Sequence, residues 1–112
     1  MLNMKPPRLM LFESFGYKEY LGRDGYNSKY ADEITIENVR IDRGSVYSAS
    51  TSGKALLYNT LIICYPGITE PVPTFKEQSK VTIDGVEQVI QKVILNKEPT
   101  NNAIYSIELE LV

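Results

Sequence analysis

Two residues constrain this chain more than any others: Asp84 and Gly85. They sit between Lys80-Val81-Thr82-Ile83 and Val86-Glu87-Gln88-Val89-Ile90-Gln91-Lys92-Val93-Ile94-Leu95, two β-prone runs. A type I′ turn needs positive φ at both central residues, and Asp followed by Gly tolerates it, so the pair predicts a tight antiparallel hairpin. After a break at 96–102 the chain reads Ile104-Tyr105-Ser106-Ile107-Glu108-Leu109-Glu110-Leu111-Val112. Tyr105, Ile107, Leu109 and Leu111 fall on one face, and Ser106, Glu108 and Glu110 on the other. That period of two is a half-buried strand. Three consecutive antiparallel strands therefore anchor the fold at its C-terminal third.

The preceding chain adds strands rather than helices. Residues 9–15 form a first β-prone run, entered through Pro6-Pro7, which hold the lead-in extended. Residues 17–21 continue it after a bulge or curl briefly. Asp24-Gly25, in a stretch dense in turn residues, can close another hairpin. A calcium loop there would need several carboxylates at alternating positions, and Asp24 stands nearly alone. Residues 33–43 alternate well, with a phase change at Asn38 that predicts a bulge. Residues 54–65 are largely apolar without clean alternation, which suggests burial on both faces or a subunit contact. Their rising β-branched and aromatic content favours strand over helix. Pro66-Gly67 ends that strand, Pro71 and Pro73 hold the connection open, and residues 74–79 have room for one helical turn. The expected fold is all-β: a small antiparallel barrel or sandwich of about six strands, possible short helical turn included, in one domain over 1–112 with 1–7 as a flexible lead-in.

Between the strands at 33–43 and 54–65 lies Gly44-Ser45-Val46-Tyr47-Ser48-Ala49-Ser50-Thr51-Ser52-Gly53. It is small, polar and glycine-bounded. It is expected to be a mobile loop, longer than a hairpin needs, and long loops in compact domains are often functional. The chain holds 8 tyrosines. Tyr17, Tyr20, Tyr26, Tyr30 and Tyr58 fall near strand ends or in loops and are candidate interface residues, because the ring buries area while the hydroxyl stays hydrogen-bonded.

Composition narrows the chemistry. Histidine is absent, which removes the commonest general base and metal ligand and most hydrolytic triads. One cysteine, Cys64, cannot make a thiolate zinc site or an internal disulfide and reads as a small buried hydrophobe. Asp24, Asp42 and Asp84 are each better explained by turns than by catalysis, so no catalytic residue, metal or cofactor is expected. Net charge is −2, so electrostatics do not argue for nucleic acid. A single-strand-binding barrel of the oligonucleotide-binding type is the alternative, with aromatics as stacking platforms; acidic Glu108 and Glu110 oppose it. The longest apolar run, 61–65, is too short to span a bilayer, and residues 1–8 lack the apolar core of a signal peptide. The chain is expected to be cytosolic when made.

The order of Tyr17-Lys18-Glu19-Tyr20-Leu21-Gly22, Tyr30-Ala31-Asp32, Val39-Arg40-Ile41-Asp42, Phe75-Lys76-Glu77-Gln78-Ser79-Lys80-Val81-Thr82-Ile83-Asp84-Gly85 and the closing Tyr105-Ser106-Ile107-Glu108-Leu109-Glu110-Leu111-Val112 resembles the minor capsid proteins of tailed bacteriophages and prophages of Gram-positive bacteria. The similarity runs from about Lys5 to Val112. The resemblance implies a structural protein and not an enzyme: a head–tail connector of the head-closure or stopper type, located at the head–tail junction of the virion and in the host cytoplasm during assembly. It further implies a small β-barrel that assembles as a homo-oligomeric ring below the portal and its adaptor after DNA packaging. Its partners would be connector proteins on the portal side and on the tail side, with packaged DNA only as the contents of the channel and no membrane. In similar stopper proteins a long loop between the second and third barrel strands reaches into the channel; on this chain that loop corresponds to 44–53.

Overall fold

A computed structural model describes residues 11–50, 53–101 and 103–112, with the side chains of 45–50 and 53–58 outside the description. Among the described residues eight strands follow one another: β1 (Glu13–Lys18), β2 (Tyr20–Asp24), β3 (Asn27–Tyr30), β4 (Ile34–Ser50), β5 (Gly53–Cys64), β6 (Lys80–Ile83), β7 (Val86–Lys97) and β8 (Ile104–Leu111). Six close into a barrel in the order β1-β4-β5-β8-β7-β6, and β2 and β3 form a separate two-stranded sheet. The all-β barrel expected from the sequence is present.

The hairpin at Asp84-Gly85 forms as its chemistry requires. Ile83 pairs with Val86, and Asp84 and Gly85 have φ of 51° and 78°, the two positive values of a type I′ turn. The terminal strand alternates as read from Ile107 on: Ile107, Leu109 and Leu111 are buried and Glu108 and Glu110 are less so, whereas Ser106, read onto the polar face, is also buried and accepts from Asn96 Nδ2 at 3.1 Å. The strand is hydrogen-bonded on both sides, to β5 and to β7.

Asn38 is the bulge. Glu13 pairs with Val39 but Ser14 with Glu37, so Asn38 is the extra residue, and its φ is 62°. Asn tolerates the left-handed region better than most residues. The inserted residue shifts the phase so that Ile36, Val39 and Ile41 all point inward. Asn38 also ties down the connection after β5: its Nδ2 donates to the Ile68 carbonyl at 3.2 Å, and its own carbonyl accepts from Thr69 Oγ1 at 2.7 Å. Thr69 Oγ1 in turn accepts from the Tyr65 amide at 2.9 Å.

Every barrel strand contributes to one core, which includes Phe15, Tyr17, Ile36, Val39, Ile41, Ile62, Cys64, Val81, Ile83, Ile90, Ile107, Leu109 and Leu111. Phe75, from the connection between β5 and β6, closes it. Burial of each large aliphatic side chain is worth roughly 1.5–3 kcal/mol. Burial also pushes the Cys64 thiol up to about 12, in keeping with the inert small hydrophobe read from the sequence.

Four expectations need correction. Of the run expected from residue 9, Leu11 and Phe12 lie outside the ladder and β1 starts at Glu13, while residues 1–10 lie outside the described residues. The stretch 17–21 divides between β1 and the separate β2–β3 hairpin instead of extending one strand. Residues 74–79 form no helical turn; no helix occurs among the described residues. A β-turn takes its place, with the Ser79 amide bonded to the Lys76 carbonyl and Gln78 at φ 73°. The reason is tertiary: Phe75 is drawn into the core, and the Lys76 amide donates to the Tyr17 hydroxyl at 3.0 Å. The fourth correction concerns 44–53. Residues 44–50 are not a loop but the continuation of β4, and Gly53 opens β5.

Candidate assembly surfaces

β4 pairs with β1 through residues 34–39, then with β5 from Arg40 onward. β5 in turn is held by β8 only over Thr60–Cys64. Among the described residues, beyond Arg43 and Thr60 the two strands pair only with each other, Val46 with Tyr58, Tyr47 with Leu56, Ser48 with Ala55, Ala49 with Lys54 and Ser50 with Gly53. They form a two-stranded arm that leaves the barrel. At ~3.3 Å per residue, the seven residues 44–50 extend about 20 Å. The polar composition of 44–53 argued against a core position. It did not argue against a strand, because a two-stranded ribbon satisfies its inner backbone groups across the ladder and its outer ones with water.

The base of the arm is clamped. Arg43 reaches Glu13 Oε1 with NH1 at 2.7 Å and Asp84 Oδ2 with NH2 at 3.2 Å. The second Glu13 oxygen accepts from the Ile41 amide at 3.2 Å. One guanidinium thus joins β4, the first residue of β1 and the β6–β7 turn. The hydrogen bond to Glu13 is the main cause of its raised pKa. Immediately beyond, the ladder shifts register between Arg43 and Val46 and again between Val46 and Tyr47. The arm therefore leaves a fixed point through an irregular, more strongly twisted segment.

The opposite end of the barrel is apolar. β5 enters the barrel at Thr60 and leaves at Cys64, so the chain beyond Cys64 lies at the end away from the arm. There Pro66, Val72, Pro73, Thr74 and Phe75 face Val93, Leu95, Ile104 and Ile107 across a groove of about 580 Å³. Leu95, half exposed, stands at its mouth. The sequence held a signal for this groove in the prolines at 66, 71 and 73, which keep the connection from packing as a strand. It held none for which apolar residues would be left uncovered.

The structure separates the candidate tyrosines. Tyr17 is not at a surface: it is 2% exposed, its ring meets Phe75 edge-on at 5.1 Å and its hydroxyl lies 3.2 Å from Ser79 Oγ. A position near a strand end does not mean exposure when a connection folds over that end. Tyr20 and Tyr30 face each other at 5.7 Å across the base of the β2–β3 hairpin, with the Lys80 ammonium 4.5 Å from the Tyr30 ring centre. Tyr26, at the tip, is 98% exposed. The Tyr58 side chain, those of Ser45 to Ser50, and residues Thr51 and Ser52 lie outside the described residues.

Asp24, Asp42 and Asp84 each pair with a cation, Lys29, Arg40 and Arg43 respectively. Among the described residues no three of Cys, Asp and Glu gather as metal ligands, and no helix is long and apolar enough to cross a membrane.

Comparison with known proteins bears on these surfaces. A family model described as minor capsid protein matches residues 7–111. An uncharacterized protein, ORF5, of Lactococcus phage LL-H is 25% identical over 83 residues, which is 71% of this chain and 70% of the phage protein.

Proposed function

The chain belongs to the minor capsid protein family of phages, and from that premise we propose that it is a head–tail connector of the head-closure type. In this reading it forms a ring below the portal, closes the DNA channel after packaging and presents the docking surface for the tail. Family membership makes it a structural component of the phage particle; the connector role is the finer step. The observation that carries this step is the arm. A hairpin that leaves a clamped barrel end, from Arg43 on one strand and Thr60 on the other, suits an element that reaches from a ring wall into a channel. Mild net acidity fits a channel in which DNA must slide, since a basic wall would bind phosphate.

Two experiments test the reading. Phage assembled without this protein should accumulate DNA-filled or leaking heads that lack tails, seen by electron microscopy; normal tailed particles would refute the connector role. The arm has its own test. Deleting residues 45–57 joins Gly44 to Tyr58 and leaves a short Gly-containing loop between Arg43 and Thr60, a length that hairpins accommodate. The variant should fold and incorporate yet lose packaged DNA. Full DNA retention would remove the closure role and leave the connector role standing.

A further inference from the structure

The root of the arm carries two irregularities that cancel. From the Arg43–Thr60 pair to the Val46–Tyr58 pair, β4 advances three residues and β5 two, so β4 holds one extra residue. From Val46–Tyr58 to Tyr47–Leu56, β4 advances one residue and β5 two, so the next extra residue is on β5. One bulge thus lies on each strand, at neighbouring steps of the same ladder. Beyond them Ser48 faces Ala55, Ala49 faces Lys54 and Ser50 faces Gly53. That is the register which the barrel pairs Ile41–Ile62, Asp42–Leu61 and Arg43–Thr60 reach by plain continuation.

The cancellation matters for what the strands can do. A single bulge shifts the register of everything beyond it. Removing one makes the whole distal ladder slip by a residue, which turns its side chains to the other face. Two opposed bulges carry no such cost. A regular ladder of the same length is open to the same residues, with Gly44 opposite Asn59, Ser45 opposite Tyr58 and Val46 opposite Leu57. Every pair on either side stays as it is. The surroundings leave room for the exchange. Among the described residues no third strand flanks 44–46 or 57–59, and no atom lies within 4 Å of where a Cβ on Gly44 would stand. Both ends of the segment are defined. On the barrel side Arg43 is held by Glu13 at 2.7 Å and Asp84 at 3.2 Å. On the tip side the common register resumes at Tyr47–Leu56.

We infer that the arm root is a two-state hinge: residues 44–46 and 57–59 interconvert between the bulged ladder and a regular one, redirecting the arm while the barrel and the arm tip keep their pairing. The redirection follows because a bulge bends its strand and adds right-handed twist, and the regular ladder gives both up. The regular ladder in turn regains backbone pairs, which in a ribbon open to water changes the free energy little. A partner that touches only the arm shifts this equilibrium as far as it binds the two directions unequally. The hinge follows from strand register alone and stands apart from the connector reading, so either can fail without the other.

Nuclear magnetic resonance of the whole protein tests it. The amides of 44–46 and 57–59 should show relaxation dispersion on the microsecond-to-millisecond scale, or doubled peaks where interconversion is slower. The amides of 48–50 and 53–55 keep the same partners in both states and should show much smaller effects. Deleting Ser45 together with Leu57 takes one residue from each strand and leaves no bulge to form. The exchange at the root should then be lost, while the peaks of barrel residues such as Ile62 and Leu109 stay in place and report a folded barrel. Single peaks without dispersion at the root of the wild-type protein would overturn the hinge, and this measurement decides by itself should the deletion variant fail to fold. Exchange that rises steadily from the root to residues 50 and 53 would overturn it too, since that is fraying of the arm. So would exchange that persists in the folded double deletion.

Discussion

Replacing Tyr17 by Phe should cost this protein far more stability than the loss of any tip tyrosine. The substitution keeps the ring against Phe75 and removes one oxygen. That oxygen accepts the Lys76 amide at 3.0 Å and shares a hydrogen bond with Ser79 Oγ at 3.2 Å. Ser79 is fully buried, and its hydroxyl also holds the Tyr20 amide. Without the phenol the Lys76 amide loses its partner, and leaving a buried donor unsatisfied costs about 1–3 kcal/mol. Lys76 lies close to the open groove, so water can recover part of this, and we expect a loss of about 2 kcal/mol. Unfolding entropy near 2.1 cal/mol/K per residue gives ~0.24 kcal/mol/K for a chain of this length, so Tm should fall by about 8 °C. Thermal unfolding followed by circular dichroism measures this, with Tyr26→Phe as the control, expected to shift Tm by less than about 2 °C. The double variant with Ser79→Ala should cost less than the sum of the single changes, because the two hydroxyls share one interaction. A Tyr17→Phe protein within about 2 °C of the wild type, or a strictly additive double variant, would refute the view that this phenol holds the 71–79 connection onto the barrel.

Two further outcomes rest on named residues. The Cys64 thiol has a folded-state pKa pushed up from 9.0 to about 12 by burial. The unfolded chain therefore loses this proton first as pH rises, and stability present below pH 9 should decline progressively between pH 9 and 12. The Tyr65 hydroxyl, also raised chiefly by burial, adds to the slope in the same direction. Cys64→Ala should flatten part of the alkaline decline in denaturant midpoint, and the native protein should react with a thiol reagent at pH 8 only as fast as it unfolds. Gly85 sits at φ 78° in the turn after Asp84. Gly85→Ala should cost about 1–2 kcal/mol in chemical denaturation through the left-handed backbone alone, since no atom lies within 4 Å of the added methyl.

The features legible in the sequence were those written in local chemistry. Asp84-Gly85 announces its own turn geometry, the terminal strand displays its buried face, and the broken alternation at Asn38 marks an extra residue. Each of these rests on a few neighbouring side chains. Tyr17 was misread because its environment is made by residues about sixty positions away, Lys76 and Ser79, which no local pattern near Tyr17 reveals. The helical turn at 74–79 failed for the same reason, since its hydrogen-bond donors are taken by tertiary partners. The stretch 44–53 was misread differently. Its composition argued against burial, but burial is a criterion for strands within a barrel and not for a two-stranded ribbon.

That distinction bears on how a chain this small divides its tasks. The barrel core takes apolar residues from all six of its strands. β4 and β5 run unbroken from core to arm, so a force on the arm is transmitted to the barrel through covalent strand and through the Arg43 clamp on Glu13 and Asp84. The groove lies at the other end, away from the arm. On the connector reading proposed above, the two ends can thus be altered independently: deleting residues 45–57 should leave the cooperative unfolding of the barrel intact while changing what the assembled particle retains.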